Sequence, residues 1–164
     1  MLTASILTIS DTRSAGRRAD TTTQLMAEIL GDAGFEIART RLVPDEFDDI
    51  AASICELAQG VQLVVTSGGT GLAPRDVTPE ATRSVLDREA PGLAEAMRVE
   101  TAKIQPLAYL SRAVAGQLGT TLVINLPGNP KAVRECLDVL LPMLPHAIKT
   151  STGGGEGTHR AMQS

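Results

Sequence analysis

Four apolar runs along the chain have the length and spacing of β-strands. They span residues 4–10, 35–43, 61–67 and 120–125. The run at 61–67 is almost continuously apolar, which is typical of a strand covered on both faces. The run at 35–43 alternates weakly and carries more charge, so we expect it at an edge of the sheet.

Between these runs, apolar residues recur at spacings of three and four, which predicts helices. The predicted helical segments are residues 21–34, 44–60, 78 to about 89, 93–104, 106–119 with a loop around 111–112, and 129–148. We expect Asp45 at a helix N-cap. We expect Thr78-Pro79 and Asn129-Pro130 each to be a cap followed by the first helical residue. Pro91-Gly92 is expected to end the helix that starts near residue 78.

Strands alternate with helices through the chain, which predicts an α/β fold, a three-layer αβα domain with a mostly parallel sheet. In such folds ligands bind beyond the carboxyl ends of the strands. Four loops would then share one rim, and they begin at Ser10-Asp11, Pro44-Asp45, Gly68 and Pro127. We therefore expect the functional residues in these loops.

Composition limits the domain number and the partners. The 164 residues predict one domain over 1–150, followed by a polar, glycine-rich tail at 151–164 that we expect to be disordered. A net charge of −4 and a pI of about 5.2 argue against a nucleic-acid partner. No run approaches the roughly 18 apolar residues of a membrane helix. The start of the chain does not have the pattern of a signal peptide. We therefore expect no membrane partner and a cytoplasmic location.

Cysteine and histidine are too sparse for a nitrogen and sulfur metal site. Cys55 and Cys136 each lie within an apolar helical pattern, and we expect both as buried thiols. The two histidines, His146 and His159, are not accompanied by a C-x-x-C pair.

The segment TSGGTGLAPRDVTPE, residues 66–80, partly resembles a phosphate-binding loop. It lacks the Lys-Ser/Thr pair of a Walker loop, and Pro74 stands where the dinucleotide pattern needs glycine. Backbone amides beside glycines and a helix N-terminus can still hold an anion. Gly128 with Asn129-Pro130 repeats this arrangement. The pattern indicates a site for a phosphate-bearing ligand, with ordinary turn chemistry as the alternative.

Charged residues near this rim have two interpretations each. Asp45 and Asp76 are either helix caps or residues that hold Mg²⁺ between triphosphate oxygens, because a carboxylate beside a phosphate needs a metal between them. Arg13, Arg17 and Arg18 are either solvated loop charges or contacts to an anionic substrate.

The segments LTISD, VPDE, TSGGTGLAPRDVTPEAT, LSRAVAG and INLPGNPKAV, in this order, resemble the molybdopterin adenylyltransferase family. The chain thereby also resembles the G domains of gephyrin and of the plant molybdenum-cofactor protein, which are the same kind of domain. The resemblance covers about residues 3 to 148. It implies a nucleotidyltransferase of molybdenum cofactor biosynthesis that transfers AMP from Mg-ATP to the terminal phosphate of molybdopterin and releases pyrophosphate.

The resemblance also implies roles for residues. Asp45 and Asp76 match the family's two key aspartates and would organise Mg²⁺ and the triphosphate, and Arg75 would add positive charge. Residues implied in substrate and nucleotide binding are Ser10, Asp11, Ser67, Gly68, Gly69, Thr70, Gly71, Arg75, Ser111, Arg112, Pro127, Gly128 and Asn129. By analogy the chain would form a homotrimer and hand its product to a molybdate-inserting partner.

An alternative within the resemblance is a pterin-binding carrier or scaffold protein of the same pathway that does not adenylylate. The chain also departs from the family, which usually has a glycine in the turn that enters the first long helix. Here the turn reads Asp20-Thr21-Thr22-Thr23, with Thr23 at the glycine position. A β-branched residue resists positive φ, so we expect this helix start to differ.

Overall fold

A six-stranded sheet organises the residues that the computed structural model describes, which are 1–154. The strands in chain order are β1 Leu2–Ile9, β2 Phe35–Val43, β3 Leu63–Ser67, β4 Arg88–Glu89, β5 Ala115–Leu118 and β6 Thr121–Leu126. The α-helices are α1 Asp11–Ser14, α2 Thr22–Asp32, α3 Phe47–Leu57, α4 Thr78–Val85, α5 Pro91–Ala102, α6 Pro130–Leu140 and α7 Leu144–Ser151, and a 3₁₀ helix spans Pro106–Leu110.

The sheet order is β2-β1-β3-β6-β5-β4. The strands β2, β1, β3 and β6 run parallel, whereas β5 and β4 are antiparallel additions. The predicted mostly parallel sheet is confirmed, and β2 is an edge strand as its charge pattern indicates. The four parallel strands end at one rim, so the four loops chosen from the sequence are neighbours.

Two apolar clusters, one on each face of the sheet, make three layers. Successive residues of β1 face opposite clusters, with Ile6 packed towards α2, α5, α6 and α7 and Leu7 packed towards α3 and α4. Both side chains are fully buried. The core is aliphatic, because it is built almost entirely from Ala, Val, Leu, Ile and Met. No helix within residues 1–154 is both long and apolar enough to cross a membrane.

The chain after the glycine loop differs most from the prediction. Helix α4 ends at Val85 rather than near residue 89, and Val77, not Thr78, occupies its N-cap position. The following residues form β4, and Pro91 begins α5 instead of ending a helix. Proline suits the first turn of a helix because the amide that it lacks would have no intrahelical partner there.

The segment 106–119 is a 3₁₀ helix and a strand rather than an α-helix. β5 pairs with β6 through a two-residue turn in which Gly119 has φ 59°. A Cβ on Gly116 would collide with the carbonyl oxygen of Arg88 on β4 and would lie 3.1 Å from the Cα of Glu89. The absence of a side chain on Gly116 therefore permits close pairing of β4 and β5.

Three further expectations change. The predicted helix 129–148 is two helices, because Pro142 lacks an amide hydrogen and clashes with the preceding turn. The N-cap of α3 is Glu46, so Asp45 is not a cap. Cys136 is buried as expected, but Cys55 is exposed. Ser151 still belongs to α7, and the rest of the predicted disordered tail lies mostly outside the described residues, at 155–164.

Candidate active site

Two adjoining cavities lie where the parallel strands end. The smaller has a volume of about 360 Å³ and the larger about 560 Å³. Gly69, Asp76, Gly128 and Asn129 line both. These four residues come from the two glycine turns that follow β3 and β6, so a shared wall joins the cavities.

The first glycine turn has a backbone that other residues would not adopt. Gly68 has φ 104° and Gly69 has φ 69°. A Cβ on Gly68 would collide with the carbonyl oxygen of Ile9, and one on Gly69 would lie 3.0 Å from Asp45 Oδ1. Helix α4 holds the turn, because Thr78 donates from its hydroxyl to Gly68 O at 2.9 Å and from its amide to Gly69 O at 3.1 Å.

Three residues of this turn border the larger cavity and have unpaired amides. Gly69, Thr70 and Gly71 all line the larger cavity. None of their backbone N–H groups donates to another residue within 1–154. Unpaired amides beside glycines form an anion-binding concavity, so the turn can hold phosphate oxygens without a lysine.

Asp11 and Asp45 fasten the first two loops together. The amide of Asp45 donates to Asp11 Oδ1 and the amide of Asp11 donates to Asp45 Oδ2, each at 3.0 Å. Arg75 donates to the other side of Asp11 from Nε at 2.6 Å and to Glu46 from Nη2 at 2.8 Å. The hydrogen bond that Arg75 donates to the Asp11 carboxylate holds the pKa of Asp11 below its ordinary value. Asp11 and Glu46 raise the pKa of Arg75 in turn. Arg75 is therefore bound by carboxylates in this structure and lines neither cavity.

Asp45 and Asp76 both line the smaller cavity. Burial raises the pKa of Asp45, and the charges of Asp11 and Asp76 raise it further, against a lowering by the Asp11 amide. Asp76 accepts from the amide of Ala73 at Oδ2, at 3.0 Å. One oxygen of each carboxylate thus remains for a ligand.

This pair of acids suits a magnesium ion. No group of three or more His, Cys, Asp and Glu residues within the described chain is placed to hold a metal alone. Mg²⁺ usually takes one or two carboxylates and completes its shell with water and phosphate oxygens. Two mutually repelling carboxylates beside a turn with unpaired amides match that donor set.

Arg112 supports the glycine turn from behind. Its amide donates to Thr70 O and its Nε to Gly71 O, both at 2.8 Å. Its Nη2 donates to Asp76 O at 2.6 Å, and its Nη1 contacts Glu80. That contact holds the pKa of Glu80 below its ordinary value. All three guanidinium nitrogens are occupied, so Arg112 positions the turn and does not line either cavity.

The remaining predicted residues divide between wall and support. Ser10, Ser111, Pro127, Gly128 and Asn129 line a cavity. Ser67 and Asp11 line neither, and Ser67 instead donates to Pro127 O at 2.8 Å, which joins the ends of β3 and β6. Asn129 also caps α6 by accepting from the amides of Lys131 and Ala132.

The sequence did not identify several residues of the larger cavity. They come from α5, the 3₁₀ helix and α6, and include Met97, Arg98, Thr101, Gln105, Lys131, Glu135 and Cys136. Burial raises the pKa of the Cys136 thiol to about 11, so this thiol is protonated and uncharged at neutral pH. The apolar periodicity of the helices was the available signal for these residues. It does not distinguish a side chain in the core from one in a cavity wall.

Thr23, which stands where the family usually has glycine, lies in the first turn of α2. No residue except glycine has positive φ within 1–154, so Thr23 is an ordinary helical residue of α2. Its amide and hydroxyl both donate to Asp20, at 3.2 and 2.5 Å. Its hydroxyl also bonds that of Thr8 at 2.6 Å. Thr23 thus joins Asp20 and Thr8 in a hydrogen-bond network at the start of α2.

Comparison with known proteins identifies the family. A family described as "Probable molybdopterin binding domain" matches residues 5–146. The chain belongs to this family. Among members, the molybdopterin adenylyltransferase of Helicobacter pylori strain J99 is 40% identical over 90% of this chain and 86% of its own length. The Molybdenum cofactor synthesis protein cinnamon of Drosophila melanogaster is also 40% identical, but the chain spans only 25% of it.

Solved structures of the family share the fold. The molybdopterin biosynthesis enzyme MoaB of Thermus thermophilus has a TM-score of 0.88 and 52% identity, and the match covers 93% of this chain and 98% of that one. The resemblance drawn from the sequence motifs is therefore confirmed.

Proposed function

We propose that this chain is a molybdopterin adenylyltransferase, a nucleotidyltransferase of molybdenum cofactor biosynthesis. The observation that carries the proposal is the wall shared by the two cavities, at Gly69, Asp76, Gly128 and Asn129. A phosphate of molybdopterin in the larger cavity and the triphosphate of ATP in the smaller would meet at this wall. Adenylyltransferase relatives that match most of the chain support the same activity.

In the proposed reaction a terminal phosphate oxygen of molybdopterin attacks the α-phosphorus of ATP. The bond from that phosphorus to the oxygen of the β-phosphate breaks, and pyrophosphate leaves with the electron pair. The amides of Gly69, Thr70 and Gly71 would hold the phosphate oxygens in line, and Arg112 would fix those amides through the turn. Asp45 and Asp76 would hold Mg²⁺, which supplies positive charge to the phosphoanhydride.

Pyrophosphate release tests this function. Purified protein would be incubated with Mg-ATP and fresh molybdopterin, and compared with Asp45→Asn, Asp76→Asn and a mixture without molybdopterin. Asp32→Asn is the matched control, because Asp32 is exposed at the end of α2, and α2 leads into the amino end of β2, away from the rim that carries both cavities. We expect release that requires molybdopterin, fails in both site variants and persists in the control.

One observation favours a second candidate, a pterin-binding carrier. The family that the chain matches is described by molybdopterin binding, which a carrier would also show. Tight molybdopterin binding without pyrophosphate release by the unmodified protein would support the carrier and contradict the transferase.

We further propose that the protein works in the cytoplasm as a homotrimer and passes its product to a molybdate-inserting partner. The support for self-association is a run of exposed apolar side chains near the larger cavity, at Val99, Ile104, Leu107, Tyr109 and Leu110. The support for the location is that its relatives are named as molybdopterin adenylyltransferases, enzymes of a small-molecule substrate.

A further inference from the structure

The loop between β1 and α2 contains three arginines that the proposed reaction has not used. They are Arg13, Arg17 and Arg18. Arg13 and Arg18 line the smaller cavity, together with Asp45 and Asp76, and Arg17 does not. The loop thus presents two of its three positive charges to the space proposed for the triphosphate.

Arg13 lacks a protein partner. Its Nε is buried and makes no hydrogen bond to residues 1–154. Its backbone amide donates to Ser10 Oγ at 3.2 Å, which fixes the start of the side chain at the cavity edge. Arg13 as a whole is half-buried, but a buried N–H such as its Nε nearly always finds an acceptor, because leaving it unpaired is costly. The missing acceptor for Arg13 would come from a cavity ligand.

The charges around the smaller cavity are separated rather than paired. Within the described residues, neither Arg13 nor Arg18 forms an ion pair with Asp45 or Asp76. Arg75, by contrast, is paired with Asp11 and Glu46. Two unpaired cations facing two unpaired acids are complementary to a metal-bound polyphosphate, with the metal at the acids and the far phosphates at the arginines.

We propose that Arg13 and Arg18 bind the β- and γ-phosphates of ATP and hold the pyrophosphate that leaves. This inference rests on the proposed function for the identity of the nucleotide. As the bond between the α-phosphorus and the bridging oxygen breaks, negative charge grows on that oxygen and stays with pyrophosphate. Arginine suits this position because its planar donors hold phosphate oxygens in pairs and its charge does not titrate. The arginines therefore take the charge-stabilising part that the resemblance gives to Arg75.

Binding of Mg-pyrophosphate alone tests the proposal without needing catalysis. Isothermal titration would compare the unmodified protein with Arg13→Gln, Arg18→Gln and the double variant. Arg17→Gln is the matched control, because it removes the same charge from the same loop but not from the cavity wall. We expect each site variant to weaken binding by about tenfold or more, the usual scale for one charge-assisted hydrogen bond, and the control to change it little.

Two further measurements make the outcome decisive. Arg13→Lys keeps the charge but not the paired donors, so it should bind Mg-pyrophosphate more weakly than the unmodified protein. Circular dichroism should show that every variant is folded.

Molybdopterin binding, followed by pterin fluorescence, should not change in the double variant. A loss of molybdopterin binding instead would overturn the proposal, because the arginines would then hold the pterin phosphate.

The proposal and the transferase activity can fail separately. Equal Mg-pyrophosphate affinity in the double variant and in Arg17→Gln, or no binding by the unmodified protein, overturns the arginine subsite whatever the activity. Arginine-dependent binding in a protein that releases no pyrophosphate from ATP keeps the polyphosphate subsite and contradicts only the proposed transfer.

Discussion

Asp45 is a residue whose charge opposes folding but serves the proposed chemistry. Burial raises the pKa of its carboxyl above the ordinary value of 3.8. The unfolded chain therefore releases this proton at lower pH than the folded chain does. Stability linked to Asp45 is present below the unfolded pKa and is lost as the pH rises through the folded pKa.

We predict that Asp45→Asn raises Tm by a few degrees at pH 7 in the absence of magnesium, because the variant does not bury that charge. The gain should shrink as the pH falls through the raised pKa of the folded state, and it should be absent below 3.8, where the carboxyl is protonated in both states. Pyrophosphate release should fall by about a hundredfold or more. Thermal unfolding between pH 3 and 8 checks the first two statements, and a lower Tm than the unmodified protein at pH 7 would contradict them.

Gly68 is a residue whose backbone the site requires. We predict that Gly68→Ala destabilises the fold by roughly 2–5 kcal/mol, from a strained φ and a collision with the Ile9 carbonyl. Gly31→Ala, in open space on α2, is the matched control and should stabilise by about 0.5–1 kcal/mol. Urea unfolding measures both. Equal stability of the two variants would show that the turn relaxes freely.

Side-chain partners at the site were harder to predict than side-chain positions. Asp45 and Asp76 reach the cavity, as the loop rule for parallel sheets indicates. The occupation of Arg75 by Asp11 and Glu46 was not predictable, because 64 residues separate Arg75 from Asp11 in the chain. Only the fold brings these groups together, and no local pattern records the contact.

At the level of elements, the parallel strands were predictable and the antiparallel edge was not. β1, β3 and β6 are apolar runs that can be recognised from their own residues alone. β4 has two residues and β5 has four, and both are defined by pairing with a distant segment. Gly119 with a two-residue turn was the available signal of the β5–β6 hairpin.

The β4–β5 pairing gives an element-level prediction. Gly116→Ala should push β4 away, because the added Cβ would collide with the Arg88 carbonyl. The amides of Asp87 and Ala90, which donate to Gln117 O and Ala115 O at 2.8 Å, should then exchange hydrogen at least about tenfold faster. Hydrogen exchange by mass spectrometry measures this, with Gly92→Ala as the control in open space. Unchanged exchange rates would mean that β4 shifts to accommodate the Cβ and keeps its hydrogen bonds to β5.

At the level of the molecule, the sequence located the rim but not the two cavities. The rim follows from strand direction, which the alternation of elements predicts. The larger cavity is formed by the packing of α5, the 3₁₀ helix and α6. That packing depends on contacts between segments far apart in the chain, which no local pattern predicts.

The exposed apolar side chains beside that cavity give the prediction at this scale. Ile104 is 61% exposed and Tyr109 is 62% exposed, and clustered apolar exposure of this kind is typical of subunit contacts. We predict a trimer by sedimentation equilibrium, and dissociation towards monomer in the double variant Ile104→Ser with Tyr109→Ser. Met143→Ser, an exposed apolar change on the α6–α7 turn, should remain trimeric. A double variant that keeps its trimer while Met143→Ser dissociates would move the interface to the other end of α6. A monomeric unmodified protein would contradict the trimer itself and leave the apolar cluster as a part of the entrance to the larger cavity.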